Sequence, residues 1–162
     1  VDSGRVDGKT AVGLVRALWM LDANHALPSA QRLHARKLLE VQDWRVLADT
    51  ARRTDALQAE RAALESMQQL GATLTQGELI RIADLWVADG RPEAALEWLL
   101  PHGLRDGGGL AERCAELAEE LGQTEVALEV MTAAERRSTG AEALHWARRT
   151  RCLLYTSPSP RD

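Results

Sequence analysis

The chain has 162 residues, about one domain's worth, and with 45% hydrophobic residues it has the means to bury a substantial core, which argues against disorder. Its 20 basic and 24 acidic residues leave a net charge of -4, so no positive field gathers nucleic acid or anionic lipid. No run approaches the roughly 18 to 20 apolar residues of a membrane helix, and two cysteines, Cys114 and Cys152, provide no disulfide framework.

Apolar residues recur at three- and four-residue spacing almost throughout, and the alternation a strand needs is absent, so the chain reads as all helix. The spacing predicts helices near Thr10 to Asp22, Ser29 to Val41, Trp44 to Arg53, Ala56 to Leu70 and Gln76 to Asp89. Further helices follow near Pro92 to Leu100, Leu110 to Leu121, Thr124 to Arg137 and Ala141 to Arg151. Gly71, Gly90 and Gly122 stand at predicted helix ends, where glycine closes the last carbonyls. Thr75 with Glu78 and Thr139 with Glu142 have capping-box spacing. Pro92 suits a first helical turn, and Pro101 to Gly109 reads as a longer loop.

Residues 1–8 read as a disordered start and 9–151 as the helical array. The last eleven residues, Cys152 to Asp162, break the helical pattern and resemble the translation of a transposase-made sequencing adapter, so 152–162 is expected to be a non-native tail. With Val1 in first position, both ends are expected to be cuts in a longer protein. The compartment stays open.

The strongest internal signal is repetition. Asp43 to Ala51, Glu78 to Trp86 and Leu110 to Ala118 can be laid over one another, and after its first residue each reads apolar, two variable residues, apolar, alanine, acid, variable, apolar. Their alanines are Ala48, Ala83 and Ala115, and Ala147 continues the series, giving steps of 35, 32 and 32 residues. A period in this range indicates stacked helical hairpins, none of which buries its apolar face alone.

The turns Gly90 to Leu96 and Gly122 to Leu128, with Ala83 facing Ala95 and Ala115 facing Ala127, resemble those of tetratricopeptide repeats. The pair from Trp44 to Leu70 fits more loosely, with Thr54-Asp55 in place of glycine and Glu60 where alanine is expected; the first pair matches in helix length. The chain also departs from the family in carrying alanine at 48, 83 and 115, where glycine is usual. The resemblance covers about two thirds of the chain. It implies an all-α, right-handed solenoid of four antiparallel hairpins plus the first helix of another. The Trp44 to Ala48 start and the Ala-rich turns also resemble the periplasmic repeat scaffolds of bacterial exopolysaccharide export.

Chemistry is hard to find. His25, His34, His102 and His145 belong to no ligand or catalytic motif, with His25 and His102 expected in loops and the others in helices. Cys114 falls at the position of Leu47 and Ile82, which predicts a small core residue. Trp19, Trp44, Trp86, Trp98 and Trp146 read as packing groups, and Gly107-Gly108-Gly109 lacks the flanking strand and lysine of a phosphate cradle. No catalytic residue, metal or cofactor is assigned, and the chain is not expected to be an enzyme.

What remains is a surface. The resemblance implies that first helices line a concave groove, which would expose Arg45, Asp49, Arg52 and Arg53 at one end and Glu112, Glu116, Glu119 and Glu120 at the other. Ile80, Asp84 and Val87 would form a partly apolar floor between them. The expected function is a non-catalytic scaffold that holds a protein or peptide segment, with opposed charges fixing its direction. The alternatives are a structural periplasmic scaffold of exopolysaccharide export and an accessory repeat domain of a regulator or enzyme. No nucleic acid or membrane insertion is expected. Solenoid ends without polar capping faces also predict that the isolated chain associates or frays in solution.

Overall fold

A computed structural model describes residues 8–156, which form nine helices and no strand, with 84% of residues helical. They are α1 (Gly8–Leu21), α2 (Ala23–Ala35), α3 (Val41–Arg53), α4 (Leu57–Gln69), α5 (Gln76–Ala88), α6 (Pro92–Asp106), α7 (Gly108–Glu120), α8 (Thr124–Arg137) and α9 (Gly140–Thr156). The chain divides into two compact units, Val1–Thr75 and Gln76–Asp162. The expected disordered start lies outside the described residues, apart from Gly8, which opens α1.

In the first unit α1 pairs with α2 and α3 with α4, while α1 also packs on α3 and α2 on α4. The core is aromatic where α1, α2 and α3 meet. Trp19 and Trp44 are fully buried and meet edge to face with ring centres 6.3 Å apart. The Trp19 indole N–H donates to the Leu47 carbonyl at 2.9 Å, and that of Trp44 donates to Nδ1 of His34 at 3.0 Å. Both buried donors are satisfied, so these rings contribute their full apolar area without an orphaned polar group.

Two sequence expectations fail in this unit for identifiable reasons. Helix α2 begins at Ala23 instead of Ser29, because Asp22 caps it by accepting from the His25 backbone N–H at 3.0 Å. Pro28 then lies inside the helix and forgoes a single backbone bond. Helix α3 begins at Val41, where Glu40 and Asp43 form a capping box with each other's backbone. Asp43 also pairs with Arg16 of α1. The start of α4 is capped from outside its own hairpin: Ala56 has no side-chain acceptor, and Asn24 of α2 accepts from the Ala59 N–H at 3.2 Å.

In the second unit α5 pairs with α6, α7 with α8 and α8 with α9, while α6 also contacts α7 and α8, and α5 contacts α7. Ala83, Ala95, Ala115 and Ala127 are all fully buried, as the repeat requires. The expected loop from Pro101 to Gly109 is largely absent: α6 runs through Pro101 to Asp106, and Gly107, at φ 70, turns the chain into α7. The helix continues past the proline because Leu99 and Gly103 stay on its buried face. A Cβ at Gly103 would lie 2.9 Å from Cys114 Cβ, so the missing side chain is what lets α6 meet α7. Helix α9 likewise extends to Thr156, past the expected break at Cys152. Trp146, Thr150 and Leu153 keep helical spacing on its inner side, and the first proline comes only at Pro158. The rest of the expected tail, residues 157–162, lies outside the described residues.

The turns after α3, α5 and α7 repeat in geometry even where the sequence departs. After α5, Gly90 donates to the Val87 carbonyl and Arg91 to that of Trp86; after α7, Gly122 donates to Glu119 and Gln123 to Ala118. This pairing is the Schellman motif, closed by one left-handed residue. Asp55 and Ala56 make the same two bonds after α3, to Arg52 and Ala51, with Asp55 at φ 55. Asp55, Gly90 and Gly122 each stand seven residues after the repeat alanine, so Asp55 is the structural equivalent of the two glycines. Because a Cβ strains this conformation, Asp55→Gly should stabilise the protein by about 0.5 kcal/mol net of the added chain entropy. Gly90→Ala should cost about 1 kcal/mol. Shifts of the urea midpoint in opposite directions check the pair.

Candidate interaction surface

The eleven sequence-predicted groove residues fall into two sets on separate units. Arg45, Asp49, Arg52 and Arg53 lie along α3. Asp49, Arg52 and Arg53 are exposed and Arg45 is half-buried, so the side chains do reach the surface. They are not equally available. Arg52 Nε lies 2.6 Å from Oε1 of Glu60, a carboxylate with no exposed surface. Glu60 occupies the repeat position of Ala95 and Ala127, and the Arg52 guanidinium reaches in toward it. Arg53 Nε donates back to the Asp49 carbonyl at 3.2 Å.

The second set is organised by ion pairs between helices. On α5, Ile80, Asp84 and Val87 are half-buried. Arg113 of α7 places Nε 2.9 Å from Oδ1 of Asp84 and its Nη1 3.4 Å from Glu116 and 3.8 Å from Glu120. Burial works against the charge of Arg113, yet its hydrogen bond to Asp84 and the surrounding carboxylates hold its pKa above the ordinary arginine value. From α9, Arg149 reaches Glu112 at 3.2 Å and Glu119 at 2.9 Å, and His145 lies 3.5 Å from Glu112. The acidic side chains of α7 are therefore shared between two arginines, one on each flank. Among these residues, five carboxylates against two guanidiniums leave three negative charges in surplus.

No family model, curated protein or solved structure matches this chain. The functional reading therefore rests on its own geometry.

The remaining candidates are packing and surface groups. His25 and His102 lie in α2 and α6, not in loops, since α2 starts six residues earlier and α6 runs six residues further than expected. His34 is half-buried on Trp44, and His102 stands 3.8 Å from Asp106. Among the described residues no three His, Cys, Asp or Glu side chains are placed to hold a metal ion. Cys114 is fully buried, and desolvation pushes its thiol up to about 11, so it stays protonated and unreactive at neutral pH. Trp146 is buried like Trp19 and Trp44, whereas Trp86 and Trp98 are only half-buried. Trp86 instead carries the Arg91 guanidinium 4.4 Å above its ring, a cation–π contact that the spacing of repeat positions did not signal. No described helix is long and apolar enough to cross a membrane.

Proposed function

We propose that the protein is a non-catalytic interaction scaffold of tetratricopeptide-like, right-handed helical repeats, and that the second unit binds a basic, partly apolar segment of a partner protein along α5 and α7. The supporting observation is the surplus of carboxylates beside Ile80 and Val87 on two first helices that pack side by side. The existing ion pairs do not block such a partner. Half-exposed pairs of this kind are worth about 0 to 1 kcal/mol, so lysines or arginines of a ligand can replace Arg113 and Arg149 at little cost. Apolar side chains of the same ligand would then cover Ile80 and Val87, giving register as well as attraction.

A fluorescent amphipathic peptide of alternating lysine and leucine turns, titrated into the whole chain, tests this reading. Binding should weaken about tenfold between 50 and 300 mM salt as screening shortens the reach of the charges. It should also weaken about tenfold in the Glu116→Lys/Glu120→Lys variant, whereas a glutamate-for-lysine version of the peptide should not bind. Equal binding of both peptides, or no effect of the double variant, would remove the assignment.

A further inference from the structure

The carboxylates of α7 are served by two arginines of different origin. Arg113 lies on α7 itself, whereas Arg149 belongs to α9, whose close packing is with α8. Arg149 engages α7 with both ends of its guanidinium: Nη1 donates to Oε1 of Glu112 at 3.2 Å and Nη2 to Oε1 of Glu119 at 2.9 Å. The two glutamates stand seven residues apart in the chain, which is about 10 Å along a helix axis, so their side chains lean toward each other to share one cation. One turn earlier on the same face of α9, His145 brings Nε2 to 3.5 Å from the same oxygen of Glu112.

We infer that Arg149 is a stand-in carried by the chain itself: it fills the seat for an arginine of the partner segment, and the two compete for Glu112 and Glu119. This competition rests on the binding reading of α5 and α7 given above and supplies its regulation. A guanidinium presents two donors side by side in a fixed plane, and here each finds its own carboxylate; an ammonium is a point charge without that fork. Arg149 is the more enclosed partner, 21% exposed against 46% for Glu112 and 35% for Glu119. Both carboxylates therefore keep an open side on which an incoming arginine can bond before the resident one lets go. Exchange also leaves the frame in place, because Arg149 can swing out while the ion pair of Arg113 with Asp84 still ties α7 to α5.

A segment that places an arginine between the two glutamates restores the bonds it displaces. A segment without one meets a surface already neutralised at that point, so the resident arginine filters out weakly basic partners. Linkage makes the effect reciprocal: partner binding loosens the tie between α9 and α7 by the same factor.

An arginine–leucine version of the amphipathic peptide, titrated into the whole chain and two variants of it, tests the competition. Arg149→Gln should tighten binding about fivefold, the worth of one half-exposed ion pair. Arg148→Gln removes the same charge from the exposed neighbouring side chain, outside this contact. It should tighten binding by less than about twofold, through the screened general field alone. The lysine–leucine peptide should gain less from Arg149→Gln than the arginine–leucine one. A wild type that stays silent while Arg149→Gln binds also supports the competition. Equal or weaker binding by Arg149→Gln overturns it, as does an equal gain in Arg148→Gln or an equal gain by the lysine peptide. In each of these cases wild-type binding of the lysine peptide leaves the scaffold reading standing, whereas no binding by any of the three proteins removes both.

Discussion

Replacing Arg52 by glutamate is expected to cost about 3 kcal/mol, the low end of what breaking a buried ion pair costs. The reason lies in Glu60, which has no exposed surface and whose Oε1 is 2.6 Å from the Arg52 guanidinium. The substitution both removes a cation in contact with Glu60 and sets a second carboxylate beside the buried one. The low end applies because the Arg52 side chain is 47% exposed and water moderates part of the loss. Glu60→Leu in the same chain should restore most of the stability, since an apolar side chain of similar volume then sits where Ala95 and Ala127 sit in the other hairpins. Urea denaturation of the wild type, the single variant and the double variant measures this. If Arg52→Glu shifts the midpoint no further than a surface substitution does, within about 0.5 kcal/mol, the pair is not structural. The same geometry makes Arg52 a poor probe of partner binding, because any loss of affinity would be mixed with loss of fold.

Gly103→Val should be at least as damaging, about 3 kcal/mol or more for forcing a branched side chain into a packed helix contact. An added Cβ at this position meets Cys114 Cβ at 2.9 Å, Cys114 Sγ at 3.3 Å and the Leu110 carbonyl at 3.4 Å. None of these is the free end of a long side chain that can swing away, so α6 and α7 must separate. Gly103→Ala should cost less, about 1 kcal/mol, because the gain in helix propensity offsets part of the clash. Cys114→Ala should fail to rescue either variant, since the closest approach is to Cβ and alanine retains it. Thermal melting of the wild type, the two Gly103 variants and their combinations with Cys114→Ala gives the order, and a Gly103→Val protein as stable as the wild type would contradict the close approach.

The parts of this architecture that were legible from sequence are those in which one local pattern decides the outcome. Helix α8 falls at Thr124–Arg137 as the spacing predicts, and the repeat alanines Ala48, Ala83 and Ala115 are buried at matching positions. The same 35- and 32-residue steps carry Leu47 to Ile82 to Cys114, so a cysteine was readable as core. What was misread depended on partners distant in sequence. Pro101 signals a helix end locally, yet the contact of Gly103 with Cys114, eleven residues on, keeps α6 helical to Asp106. Glu60 looked like a mismatch to the repeat until Arg52 was placed over it. The expected groove residues lie on α3, α5 and α7, but their mutual pairing was not foreseeable. Arg149 and His145 come from α9, more than 25 residues beyond the glutamates they meet.

The bond from Asn24 to the Ala59 N–H has a consequence for how this chain can be taken apart. A hairpin of α3 and α4, excised or duplicated by recombination, keeps its crossing alanine and its left-handed turn residue. It loses the acceptor at the start of α4, which belongs to the helix pair before it. The α3–α4 hairpin therefore depends on the pair before it for one cap, and a gene that copied this hairpin alone would leave the Ala59 N–H to water or to a new acceptor.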